Sequence, residues 1–264
     1  MHAPVFLLLS PSIIEHELKE NLMKNKRLIW ALMLSAFAIT PFSAQAAMSD
    51  WDAEISANVG FVSQYSFRGI AQSNENIAIQ GGFDITHNNG LYAGVWGSNV
   101  NFNDGDEANV EVDIYAGYSS KFKGITYDLG AIYYAYPGAD SSLDYDFWEG
   151  SLAIGYDFDL FSATASINYS PDYFGSSGDA QYYALGIDVP LPADFTLSGH
   201  VGYQEIDDNA AFGVPDYTDW SIGLGYTLEG FDLSLQYIDT DLDEPGECAD
   251  GCDSRVVFGI SRSF

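Results

Sequence analysis

From Glu54 onward, apolar and polar residues alternate with a period of two, the mark of strands with one face apolar and one polar. Ile55, Ala57, Val59, Phe61, Tyr65 and Phe67 share one parity. Glu54, Ser56, Asn58, Gly60, Gln64, Ser66 and Arg68 share the other, so the first strand is expected to run through Arg68. Eleven further segments repeat the pattern, near 77–85, 91–100, 110–118, 127–133, 148–156, 161–169, 183–189, 195–203, 220–226, 231–237 and 256–264. In the third segment Val95 and Trp96 compete for the apolar face. Connections on one side are long (101–108, 137–144, 171–180, 205–217 and 239–254), except the first, around Ser73-Asn74, which is expected to be short. Those on the other side are tight, at 87–90, 120–124, 157–159, 190–194 and 229–230. Asn89-Gly90 suits a two-residue hairpin turn.

No apolar run in this region is long enough for a spanning helix, which needs about 20 residues. The segments are of about ten residues and even in number, as in a transmembrane barrel. Aromatic residues sit at both ends of the apolar faces: Trp148 and Tyr156, Phe161 and Tyr169, Phe195 and Tyr203, Trp220 and Tyr226, Phe231 and Tyr237. Such girdles mark the two membrane interfaces. A soluble barrel or sandwich also alternates, but its polar face would carry lysines where this chain has Gly, Ser and Ala. The pattern predicts an all-β protein, a transmembrane antiparallel up-and-down β-barrel of about twelve strands.

The N-terminal region reads differently. Met23-Lys24-Asn25-Lys26-Arg27 is basic, Leu28 to Ile39 is apolar, and Ala44-Gln45-Ala46 is a small-x-small cleavage signature. Residues 23–46 are therefore expected to be a secretory signal peptide cleaved after Ala46. Residues 1–22 are expected to be an upstream extension or a misassigned start, and residues 47–264 the barrel. Charge changes the picture further: 9 Lys+Arg stand against 38 Asp+Glu, a formal net charge of -29. Nucleic-acid binding is excluded, because it needs basic stripes. Attraction to an anionic lipid surface is equally disfavoured.

Projecting the alternation inward gives the candidate pore lining. Glu54, Asp84, Glu111, Asp113, Asp128, Glu149, Asp188 and Asp232 are its acids, Arg68 and Arg255 its bases, and His200 is near neutral. Such a lumen favours cations. The alternative is an occluded barrel in which acids pair with arginines or water and nothing passes. The long connections are rich in acids, which could hold divalent cations against lipopolysaccharide or simply be solvated. Asp239, Asp241 and Asp243 alternate as in a calcium loop, but the glycine of the sixth position is missing and Pro245 follows. Cys248 and Cys252, the only cysteines, fall in the last long connection, where a local disulfide is expected in an oxidising compartment. No nucleophile elbow or zinc-protease helix motif is present, so neither an enzyme nor a cofactor is indicated.

Val59-Gly60-Phe61-Val62-Ser63-Gln64-Tyr65-Ser66-Phe67-Arg68-Gly69-Ile70, followed by Gln80-Gly81-Gly82-Phe83-Asp84, resembles the opening of the TorF-type porin family. These are Gram-negative outer-membrane proteins of poorly defined function. Val256, Phe258, Ile260 and the final Phe264 resemble the C-terminal assembly signal of outer-membrane barrels, with Arg262 a departure where an apolar residue is usual. The resemblance implies insertion by the barrel-assembly machinery and names no substrate. The expected function is a general or weakly selective porin for small solutes in the outer membrane, with both barrel termini periplasmic. The runner-up is a non-conducting barrel with a structural, adhesive or stress-related role. Oligomeric state is open.

Overall fold

The computed structural model describes residues 46–48, 52–102 and 108–264. The expected extension and most of the expected signal peptide lie outside the described residues. Among the described residues, twelve strands close into one antiparallel barrel. They are β1 (Ala53–Val62), β2 (Ala78–His87), β3 (Leu91–Asn99), β4 (Val110–Phe122), β5 (Ile125–Ala135), β6 (Phe147–Asp157), β7 (Ser162–Ser170), β8 (Ala180–Pro190), β9 (Phe195–Ile206), β10 (Tyr217–Leu228), β11 (Phe231–Thr240) and β12 (Arg255–Ser263). Each strand pairs with the next in sequence, and β12 closes the ring on β1 through Gly259↔Val62 to Ser263↔Asn58. Phe264 extends that seam, its N–H donating to the Ala57 carbonyl at 2.8 Å and its carbonyl accepting from the Ala57 N–H at 3.1 Å. A three-residue strand, Ala46–Met48, adds to the start of β1.

The period of two sorts side chains as expected. Phe83, Leu129, Leu152, Leu185, Ile222 and Phe258 all point outward and are exposed, Leu129 at 62%. A continuous apolar belt of this kind is stable only against lipid, since soluble monomers seldom expose more than a few hundred Å² of contiguous apolar surface. Outward aromatic residues frame it. Trp148 lies beside Tyr133, and Tyr183 beside Tyr203, toward the long-connection end. At the tight-turn end, Phe195 stacks on Tyr226 with ring centroids 4.5 Å apart. The ambiguity in β3 resolves in favour of Val95 outward and Trp96 inward, where Trp96 meets Tyr65 edge-on at 5.5 Å. Inward tyrosines on neighbouring strands need room along the wall. Tyr92 and Tyr115 lie flat over Gly117 and Gly94, their partners across β3 and β4, and a Cβ on either glycine would collide with the ring.

One expectation is overturned. The first strand ends at Val62, short of Arg68, and the first long-side connection is not a short turn around Ser73-Asn74. Residues 63–77 leave the wall and fold into the lumen. Within them Ser66–Phe67 pairs with Ile70–Ala71 around a two-residue turn in which both central residues, Arg68 (φ 47°) and Gly69 (φ 83°), are left-handed. That geometry reverses a hairpin within two residues. The alternation runs unbroken through Phe67, so periodicity cannot mark where the strand leaves the sheet.

Reading the outer face as a lipid surface gives a depth-dependent expectation. Leu185→Arg, at the middle of β8, should lower the unfolding free energy in lipid bilayers by about 2–4 kcal/mol, whereas Gln181→Arg near the strand end should cost about 0–1 kcal/mol. Denaturant titration of the two variants refolded into vesicles measures both.

Candidate functional site

Among the described residues the lumen is the enclosed polar surface that the barrel topology creates, and its two halves differ. Toward the long connections, rings pack in the interior. Tyr134 stacks on Phe147 at 4.4 Å, Tyr145 stacks on Phe174 at 4.3 Å, and Phe102 meets Tyr136 edge-on at 5.5 Å. Against this cluster sits the hairpin of residues 63–77. It is held by the Tyr65 N–H donating to Ser73 Oγ (2.9 Å) and the Gln72 N–H donating to the Tyr65 carbonyl (2.8 Å). The Ala71 N–H reaches the Gly251 carbonyl at 2.8 Å, tying the hairpin to the last long connection. Cys248 and Cys252 are disulfide-bonded in that connection. They pack with Tyr217 and Leu242 against Ile70 of the hairpin.

Arg68, at the hairpin tip, is only 4% exposed. Its Nη2 donates to Glu149 Oε2 on β6 at 2.6 Å and its Nη1 to Gln204 Oε1 on β9 at 2.7 Å. The guanidinium lies 4.2 Å from the Tyr182 ring centroid, 4.7 Å from Phe67 and 5.9 Å from Tyr173. Gly69 lets the tip approach the wall: a Cβ there would collide with the side chains of Thr240 and Asp219.

The polar wall around this tip joins several expected lining residues. Glu111 accepts a hydrogen bond from the Tyr65 hydroxyl at 2.8 Å. Asp113, two residues along β4, is fully buried, and neither carboxylate oxygen has a hydrogen-bond partner among the described residues. On the far side, the Tyr182 hydroxyl donates to Asp219 Oδ2 at 2.8 Å and lies 2.9 Å from His200 Nε2, which is itself 3.1 Å from Asp219 Oδ1. Glu111, Asp113, Glu149 and Arg68 are thus gathered around the hairpin, and His200 is joined to them through Tyr182.

The other expected lining residues lie apart from it. Asp84 accepts from the Tyr115 hydroxyl, and Asp128 from the Tyr92 hydroxyl at 2.8 Å. Asp232 accepts from Thr227 Oγ1 at 2.7 Å. These three, with Asp188 and Glu54, are inward but only half-buried, toward the tight-turn end. Arg255 opens β12 at the long-connection end and donates through Nε and Nη2 to the Asp253 carbonyl, at 2.9 and 2.6 Å. Asp140, in the exposed connection between β5 and β6, is held below the usual carboxylate range chiefly by the Ser142 N–H.

Sequence reasoning missed Asp219, Gln204, Tyr182 and Tyr134 as site residues. Gln204 and Asp219 have the inward parity of their strands, which was signal enough. The inward tyrosines could have been found by the same count, had aromatic residues not been assigned to the lipid face. Placing Arg68 on the strand-one wall was wrong, since it reaches the lumen from the hairpin.

Fold and lumen together define a membrane-spanning, closed twelve-strand antiparallel β-barrel. The NanC porin superposes with a TM-score of 0.51 at 13% identity, over 80% of this chain and 98% of that chain. Weaker likenesses include an outer membrane channel from Pseudomonas putida F1 (TM-score 0.44, 12% identity, 86% of this chain and 100% of that chain). No curated protein matches the sequence. The family model for Gcw_chp, described as a bacterial protein of unknown function, matches residues 44–264, and the chain belongs to that family.

Removing one partner of a buried ion pair typically costs about 3–5 kcal/mol. Glu149→Ala should therefore release the hairpin tip. In detergent micelles, trypsin should leave the Arg68–Gly69 bond of the native protein intact and cut it in the variant, with fragments read by mass spectrometry. Cys248→Ser/Cys252→Ser should raise cleavage at the same bond by a smaller amount, because the last connection covers the hairpin.

Proposed function

We propose that the protein is an outer-membrane channel for small solutes, closed at rest by its own inward hairpin and biased to cations when open. The observation that carries this reading is the charged contact between hairpin tip and wall. A permanent plug gains little from a buried ion pair, because well-packed apolar residues of similar volume are often as stable or more so. A plug that must leave and return is suited to polar contacts that water can replace. The half-exposed acids Asp84, Asp128, Asp188 and Asp232 support the cation bias, because they line the tight-turn half of the lumen, where their field raises the local cation concentration.

In this reading the signal peptide directs export, residues 47–264 form the mature barrel, and the barrel-assembly machinery recognises Val256, Phe258, Ile260 and Phe264. Both barrel termini and the tight turns face the periplasm. The acidic long connections face outward, beside lipopolysaccharide, and the Cys248–Cys252 bond stiffens the cover over the hairpin. The opening residues 59–70 support the TorF-type likeness. A second reading, a non-conducting barrel with a structural or adhesive role, is favoured by the near-complete burial of Arg68, Glu149 and Gln204 at the closure.

Planar-bilayer recording of the refolded mature chain separates the two. The native protein should show small or infrequent conductance steps, and Arg68→Ala larger and longer ones. Silence of both sinks the channel. In a potassium chloride gradient the open variant should show a cation-selective reversal potential, and Asp128→Asn/Asp188→Asn should move it toward zero. An unchanged potential removes the charge argument.

A further inference from the structure

The wall against which Arg68 rests is a complete receptor for a guanidinium group, and most of it does not belong to the hairpin. Glu149 supplies the carboxylate, Gln204 the amide oxygen and Tyr182 the ring face, and all three stand on barrel strands. Tyr173, from the connection between β7 and β8, adds a second ring. Each wall group is held by bonds of its own. Gln204 Nε2 donates to the carbonyls of Gln181 (3.2 Å) and Glu205 (3.3 Å), which aims Oε1 at the guanidinium. The Tyr182 hydroxyl is fixed by Asp219 at 2.8 Å, which sets the plane of the ring. Asn168 Nδ2 and the Tyr134 hydroxyl each approach Glu149 Oε2 at 3.4 Å. Carboxylate plus ring face is the pairing that planar guanidinium groups favour over compact ammonium ions.

The charge around the receptor points the same way. With Arg68 withdrawn, Glu111, Asp113, Glu149 and Asp219 would remain around the vacated tip, with His200 beside Asp219 and Arg255, held on the Asp253 carbonyl, the other inward base among the described residues. Among the described residues Asp113 lacks any hydrogen-bond partner even with the hairpin in place. A buried carboxylate without a partner either takes up a proton or is matched by a cation, and a cation entering the open site would supply that match. The hairpin presents its own cation under constraint: Arg68 occupies a left-handed backbone conformation that few residues other than glycine adopt.

We infer that Arg68 is an internal stand-in for a solute, and that the Glu149–Gln204–Tyr182 wall binds monosubstituted guanidinium cations when the hairpin is displaced. This rests on the channel reading for its place in transport, but the binding site itself is tested without conduction. Arg68→Ala leaves the receptor empty, and millimolar ethylguanidinium chloride is the probe. In detergent, the thermal unfolding midpoint of Arg68→Ala should fall below that of the native barrel and recover in a saturable way with ethylguanidinium. Ethylammonium chloride at equal ionic strength should give at most a fifth of that recovery. Arg68→Ala/Glu149→Gln should not recover. Equal recovery in both salts, no recovery, or recovery that survives the Glu149 change overturns the inference.

If Arg68→Ala refolds only with ethylguanidinium present, that is the same rescue in another form. If it refolds in neither salt, Arg68→Gln is measured in its place against the same criteria. Bilayer recording then separates this proposal from the one beneath it. Thermal rescue without channels leaves the receptor standing and removes transport, whereas channels without rescue or block by ethylguanidinium leave transport standing and remove the receptor.

Discussion

Inside a bilayer a strand edge has no water to satisfy its N–H and C=O groups, and each unsatisfied group costs several kcal/mol. The hydrogen-bonded seam between β12 and β1 answers that constraint, and much else follows from it. Once the sheet is a ring, it has an inside and an outside, and the two-residue period assigns every side chain to one of them. Lipid then selects Leu, Ile, Val and aromatic residues for the outer parity. The inner parity is free to carry acids, glycines and serines that no soluble core would tolerate in such number. Glycine at positions 94 and 117 belongs to the same logic, because inward Tyr115 and Tyr92 can lie against the wall only where the facing residue has no side chain.

Closing the ring creates a second problem. Side chains from the wall fill the interior of an eight-stranded barrel, but larger barrels leave space that must be hydrated, occupied or plugged. This chain treats its two halves differently. The tight-turn half keeps half-exposed carboxylates, two of them hydrogen-bonded by inward tyrosines. The long-connection half is filled by rings and by residues 63–77. At the boundary stands Arg68, desolvated and held by Glu149, Gln204 and a tyrosine face. A purely apolar plug would avoid the desolvation cost. The polar one sets a desolvated ion pair at the hairpin tip, and the disulfide-bonded last connection packs on the same hairpin.

Much of the fold was legible in the sequence because period-two burial is a local property. The outward parity of Leu129, Leu152, Leu185 and Ile222 could be read from neighbours two residues away, and so could the inward parity of Glu111, Asp113 and Glu149. The site was legible only in part. Tyr65 and Phe67 continue the outward count of β1, yet both turn into the lumen, since the left-handed turn at Arg68 and Gly69 reverses the chain there. Asp219 and Gln204 carry the inward parity of their strands, but parity alone does not single out which inward polar residues meet the hairpin tip. Trp96 and Tyr134 were obscured by the expectation that large rings face lipid.

The sequence by itself determined that this chain is a membrane-spanning antiparallel barrel with long connections at one end, an apolar exterior and an acidic interior. Those features depend on residue type at fixed short spacings, and every strand repeats them. Only the tertiary structure decided that residues 63–77 fold into the lumen, and which residues they meet there. Arg68, Glu149 and Gln204 are separated by 81 and 136 residues from hairpin tip to wall, and no periodicity links them. Their meeting depends on ring closure, on the inward fold of residues 63–77 and on the space a twelve-strand circumference leaves to be filled.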